Sequence, residues 1–414
     1  MHFSLSAYND LMRHLLLSLS ILLLTTPAFA ELRPVDAPPG SGSLAPRLAA
    51  LHDGQAVLTW LEPENDGHAF RYAVFDGQGF GDARTIASGK DWFVNWADTP
   101  GLFVLPDGDW LAHWLVKSGP ATFAYDVVMA RSGDGGDSWS EPVVPHRDGT
   151  QTEHGFVSYF ARDEETAGMV WLDGRETAGA DSAHDGHHSH AGDMTLRTAR
   201  VGPGTEVSDK QLLDERVCDC CQTASAMTAE GALVIYRGRS DEEIRDIWMV
   251  REDGKGWSEP RLLHADGWQI GGCPVNGPDL IANERDVVAA WFTMPDNEPR
   301  VRIAISRDAG GEFAEPLELG VGSALGRVAL EWAGERFVVV WMDEVDGGGA
   351  LKLTAFDLDG EQQISRELVT MDAGRISGFP VLARLAGDRL LLAWTEPGED
   401  RRPQVRAARL DLSD

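Results

Sequence analysis

The sequence predicts an all-β fold: a β-propeller of four-stranded antiparallel blades, with seven blades the favoured count. Three observations predict it. Strand-like apolar runs dominate residues 31–414, and sustained helical periodicity is absent there. An aromatic residue closes an apolar strand seven times, at Trp60, Trp114, Trp171, Tyr236, Trp291, Trp341 and Trp394. The units so marked are self-similar, which is the mark of a repeat architecture.

Each element of the unit has a local reason. An opening strand, such as Leu44 to Leu51, ends in a tight turn of the kind His52-Asp53-Gly54 or Pro106-Asp107-Gly108. The aromatic-tipped strand follows, then a polar loop, a third strand, a second turn and a short fourth strand such as SEPVV, SEPRLL or AEPLEL. One blade cannot bury both of its faces, so blades stack around an axis and cover each other. The last unit stops at its third strand, Gln404 to Leu410, and Glu31 to Val35 is free to supply the missing outer strand and close the ring.

The first thirty residues have a different character. Arg13 and His14 precede the apolar run Leu15 to Leu24, and Pro27-Ala28-Phe29-Ala30 ends in a small-x-small site. This pattern predicts a secretory signal peptide over 1–30, one propeller domain over 31–414, and a periplasmic or secreted protein. The apolar run is too short to span a bilayer, so no membrane insertion is expected. The formal net charge of −30 repels nucleic acid and anionic lipid, leaving small molecules, glycans or metal ions as partners.

The turn between third and fourth strands carries a motif. Ser132-Gly-Asp134-Gly-Gly136-Asp-Ser-Trp139 fits S-x-D-x-G-x-x-W in full, and Ser306-Arg-Asp308-Ala-Gly310-Gly-Glu-Phe313 fits it with Phe for Trp. Shortened versions stand at 252–257 and 356–360. On these residues the chain resembles the bacterial BNR (Asp-box) repeat proteins, the sialidase-like propellers. The resemblance covers nearly all of residues 31–414 and implies the fold, with six blades as the alternative count. It implies an exo-sialidase-like glycoside hydrolase acting on acidic glycans only where the catalytic residues follow. The chain departs from that pattern: Arg33-Pro-Val and Ala45-Pro46-Arg47-Leu48 stand where Arg-Ile-Pro belongs, and no Tyr follows Tyr236.

The unusual residues map to one face, in the loops entering innermost strands and those between second and third strands. Candidate acids and bases are Glu153, Asp173 and Glu243, with Asp98 and the histidines His113, His146 and His154 nearby in sequence. Asp98, His154, Arg175, Arg237, Arg239, Arg245, Asn276, Arg327 and Arg375 form a candidate ligand-binding set, the arginines suiting a carboxylate or sulfate on a glycan. All four cysteines, Cys218, Cys220, Cys221 and Cys273, fall at equivalent positions of two adjacent units. In an exported chain they predict at least one disulfide, such as a Cys273 bridge stapling two blades. The sharper alternative is a copper or zinc site with His154 adjoining, and with His184, His187, His188 and His190 on an acidic loop. Ligand binding on this Cys/His/Arg face is the expected function. Glycan hydrolysis and periplasmic copper or zinc handling are the alternatives.

Overall fold

The computed structural model describes residues 29–179 and 192–413. The expected His184, His187, His188 and His190 loop, and residues 1–28 of the expected signal peptide, lie outside the described residues. Seven antiparallel sheets form, seven and not six. Blade 1 consists of strands Leu44–Ala50, Ala56–Glu64, Gly67–Phe75 and Arg84–Gly89. Blade 2 has Gly101–Val104, Trp110–Lys117 and Tyr125–Ser132. Blade 3 has His154–Ala161, Ala167–Asp173, Thr195–Val201 and Val207–Asp214. Blade 4 has Ala224–Thr228, Gly231–Arg237, Ile247–Asp253 and Arg261–His264, and blade 5 has Asp279–Asn283, Asp286–Thr293, Arg300–Ser306 and Leu317–Leu319. Blade 6 has Ala324–Ala333, Arg336–Val345, Gly348–Phe356 and Gln362–Met371. Blade 7 has Val381–Arg384, Arg389–Pro397 and Pro403–Ser413, and its outer strand is Phe29–Val35. That strand pairs Phe29 with Ser413 through to Val35 with Ala407, so Glu31 to Val35 closes the ring as expected.

Every aromatic tip lies in the second strand of its blade, where its side chain fills the space between neighbouring sheets. Trp60, Trp171 and Trp291 are fully buried. Burial of such a ring contributes roughly 2–3 kcal/mol, provided the indole N–H finds an acceptor. Trp60, Trp171 and Trp394 find it two residues along their own strands, on Glu62, Asp173 and Glu396, at 2.9, 2.7 and 3.1 Å. Blade-to-blade packing follows: Leu233, Ile235 and Met249 of blade 4 share one cluster with Val287, Ala289 and Trp291 of blade 5.

Blade 2 departs from the four-strand plan. Its expected fourth strand, around SEPVV, contracts to a single bridge between Met129 and Val143. Met129 and Val143 exchange both backbone bonds at 2.9 Å, and Pro145, next in line to pair, has no N–H to continue the ladder. The innermost strands of all seven blades surround an axial channel of about 330 Å³.

Candidate functional site

The cysteines gather on the expected face. The loop 218–221 enters blade 4 and is held by its backbone, with Cys218 N–H donating to the Arg237 carbonyl at 3.0 Å. Gln222 fixes the loop to its neighbours, donating to the Ala97 carbonyl at 3.0 Å and accepting from Gly277 N–H at 2.9 Å. The Cys218 and Cys221 sulfurs are 2.9 Å apart, and Cys218 and Cys220 are 3.9 Å apart. All three sulfurs lie within 4.8 Å of one another. Cys273, from the loop entering blade 5, reaches Cys220.

The expected disulfide is not formed: all four cysteines are free, and the Cys218 and Cys221 sulfurs, 2.9 Å apart, stand well beyond the roughly 2.05 Å of a bond. The reason is local. The three thiols of one loop turn inward on each other, and exposed Cys273 meets only the half-buried member of the group.

Charge is arranged around this nest. Arg245 donates to the Cys218 sulfur at 3.3 Å and to Glu243 at 2.8 Å. Burial opposes thiolate formation at Cys218, but hydrogen bonds from the Cys220 and Cys221 thiols, and the Arg245 charge, hold its thiol well below the ordinary range. Burial, and then the bond to Cys218, push the Cys221 thiol well up. The nest thus surrounds the Cys218 sulfur with two thiols and a guanidinium, the electropositive setting in which sulfur becomes a ligand or nucleophile.

The three candidate catalytic carboxyls separate by environment. Asp173 is fully buried and accepts from Trp171 at 2.7 Å and from Arg175 at 2.8 and 2.6 Å. Against the cost of burial, the Arg175 bond holds its carboxyl low. Glu243 is clamped by Arg239 and Arg245 and is likewise held low despite partial burial. Both are structural acceptors. Glu153 differs: burial pushes its carboxyl well above the usual range, with the nearby Asp98 and Asp219 charges adding to that. The Tyr125 hydroxyl stands between Glu153 Oε1 at 2.8 Å and Asp98 Oδ2 at 2.7 Å, and burial raises Asp98 to about 6. Gly155 permits this approach, because a Cβ there would sit 1.8 Å from Asp98 Oδ2.

The arginines form no open funnel. Arg237 is buried, with its donors on the carbonyls of Asn276, Arg245 and Phe292. Arg327 donates to the carbonyls of Ala373, Gly374 and Gly378. Asn276 Oδ1 accepts from Arg327 N–H at 2.8 Å, tying blade 5 to blade 6. Arg239 bonds Glu243 and Asp219. Arg375 is exposed, with its guanidinium over the Trp96 ring. His154 is not grouped with the cysteines. It stacks on His146 at 3.8 Å among Asp126, Asp148 and Asp173. Burial, and then His154, lower the His146 imidazole to about 4, so it is neutral at physiological pH.

Sequence reasoning missed Tyr125, Asp126, Asp148 and Asp219. The signal for the first two was their place at the start of a third strand, on the face already singled out.

No family model and no curated protein matches this chain. Solved structures match in fold. The polysaccharide lyase Uly1 is 9% identical, with 91% of each chain covered and a TM-score of 0.50. An ulvan lyase of polysaccharide lyase family PL25 is 11% identical, covering 78% of this chain and 80% of its own, with a TM-score of 0.50. The GH93 α-L-arabinofuranosidase of Fusarium graminearum is 14% identical, covering 92% and 97%, with a TM-score of 0.47. The two lyase likenesses support the fold alone and leave the chemistry to the site itself.

Proposed function

We propose that this chain is an exported propeller that binds one soft metal ion, Cu(I) or Zn(II), in the nest of Cys218, Cys220 and Cys221, with Cys273 as the closing ligand. The observation that carries the reading is the convergence of three sulfurs within 4.8 Å. A tetrahedral zinc thiolate needs sulfurs roughly 3.8 Å apart, from Zn–S bonds of about 2.3 Å. The Cys218–Cys220 separation of 3.9 Å meets that, and Cys221 fits after moving outward by about an ångström. Thiolates select soft ions. Arg245 offsets the negative charge of such a complex, and binding releases the protons of the remaining thiols.

Native and denaturing mass spectrometry of the exported protein, with thiol alkylation, tests this. One ion per chain, lost in the Cys218→Ser, Cys220→Ser double variant, is expected. A Cys218–Cys221 disulfide, with no ion taken up after reduction, would overturn it.

A second reading is supported by Glu153. A carboxyl pushed upward by burial and bonded to the Tyr125 hydroxyl suits a general acid acting on a glycan, in line with the glycan-active enzymes that share the architecture. Turnover of acidic polysaccharides that disappears in Glu153→Gln would favour it, and absence of turnover across such a panel would eliminate it.

A further inference from the structure

A second cluster, at the junction of blades 2 and 3, does not belong to the cysteine nest. Asp126 follows Tyr125 at the start of the third strand of blade 2, His146 and Asp148 lie on the connection into blade 3, and His154 opens its innermost strand. The two imidazoles stack with centroids 3.8 Å apart and planes within 1°. Each ring points one nitrogen toward Asp126 and the other toward Asp148.

The two ends of this stack differ. At the Asp148 end the charge is closed: Arg175 lies 3.2 Å from Asp148 and 2.6 Å from Asp173, and Thr150 donates its hydroxyl and amide to Asp148. The Asp126 end is open. His146 Nε2 and Asp126 Oδ1 are both buried without a hydrogen-bond partner, although the His146 side chain is only 2% exposed. Leaving such buried groups unpaired is destabilising, because their desolvation is uncompensated. His154 Nδ1 lies beside them, 3.6 Å from Asp126 Oδ1, and donates at 3.3 Å to the Tyr125 carbonyl, a bond that an ion on this nitrogen would replace. No arginine or lysine pairs with Asp126 among the described residues.

We propose that Asp126 Oδ1, His146 Nε2 and His154 Nδ1 form a second metal site, for a borderline divalent cation such as Zn(II) or Co(II). Two imidazoles and one carboxylate are a ligand set for such ions. The ligand atoms lie 3.6 and 3.9 Å from the shared carboxylate oxygen, against roughly 3.4 Å across a tetrahedral site with bonds of about 2.1 Å. Because the ring planes lie within 1° of each other, each imidazole must turn well out of the stack to aim its in-plane lone pair at the shared ion. Asp126 keeps 27% of its side chain exposed, which gives the ion a path in and a water its fourth position. A cation there satisfies both orphaned atoms at once. Asp148, held by Arg175, orients the far nitrogen of His146 as a supporting carboxylate and lies 3.1 Å from the far nitrogen of His154.

Anaerobic titration of the chelator-treated full chain with Co(II), thiols intact, tests the site. A cobalt species with strong visible ligand-field bands and no thiolate charge-transfer band is expected. Its affinity should fall at least tenfold in both Asp126→Asn and His146→Gln, with far-ultraviolet circular dichroism unchanged. Should His146→Gln fail to fold, the half-exposed Asp126→Asn alone decides. Absence of any thiolate-free cobalt species, or unchanged affinity in the folded variants, overturns the proposal. The cysteine nest is read separately in the charge-transfer band, so the two sites stand or fall independently.

Discussion

At the scale of single residues, the telling group is the Tyr125 hydroxyl, which has one proton and two carboxyl neighbours. It donates to only one of them at a time, and burial favours the protonated form of both carboxyls. Asp98 is 2% exposed and raised by burial to about 6 from 3.8. Its folded pKa lies above its unfolded one, so the stability it contributes is full below about pH 4 and is lost as pH rises through about 6. Asp98→Asn removes that dependence while preserving the bonds. The amide oxygen accepts from Phe156 N–H, the amide N–H donates to Tyr125, and Tyr125 donates to Glu153. Urea unfolding at pH 4.5 and pH 7 is expected to show a gap between wild type and variant that changes by roughly 2 kcal/mol, with the variant gaining at the higher pH. An identical gap at both values would refute this account. The sequence could not reveal the triad, because its members are 27 and 28 residues apart and meet only once blades 2 and 3 dock. The cysteine nest was legible because three of its members share one loop.

At the scale of elements, the turns after third strands show how a motif becomes geometry. In blade 2, Asp134 accepts from the Ser132 hydroxyl and Ser138 N–H, both at 2.8 Å, while Ser132 Oγ accepts from Gly136 N–H at 2.8 Å. Blade 5 repeats this with Ser306, Asp308, Gly310 and Glu312, at 2.7, 3.0 and 2.9 Å. Two turns far apart in sequence thus solve the same problem of satisfying turn amides with one carboxylate and one hydroxyl. Asp308→Ala leaves those donors to water and is expected to cost about 1 kcal/mol. The whole Ser306→Ala, Asp308→Ala pair should cost less than the two single changes added, because the residues share one network. Strict additivity in thermal or chemical unfolding would show the bonds to be independent. The same period that exposed these turns exposed the aromatic tips. It overstated blade 2, where the pattern Ser-Glu-Pro-Val-Val promised a strand and Pro145, just beyond it, allowed only a bridge.

At the scale of the whole molecule, stability rests on closing a ring with a strand from the other end of the chain. Phe29–Val35 covers the edge of Pro403–Ser413, and Ala30 and Leu32 pack into the cluster shared with blade 6 through Leu351, Leu353 and Ile364. Deleting Glu31 to Val35 leaves the last strand with an unpaired row of N–H and C=O groups and uncovers Leu410 and Leu412, now buried. An open edge of that kind recruits another chain. The deletion variant is expected to melt several degrees lower and to self-associate despite a formal charge near −30, which alone would keep copies apart. Adding a synthetic peptide of residues 29–35 should restore both the melting temperature and the monomer, since strand addition needs only the vacant edge and its side-chain pockets. A deletion variant that stays monomeric at the wild-type melting temperature would mean that blade 7 holds without its outer strand, and that closure rests on the blade-to-blade cores alone.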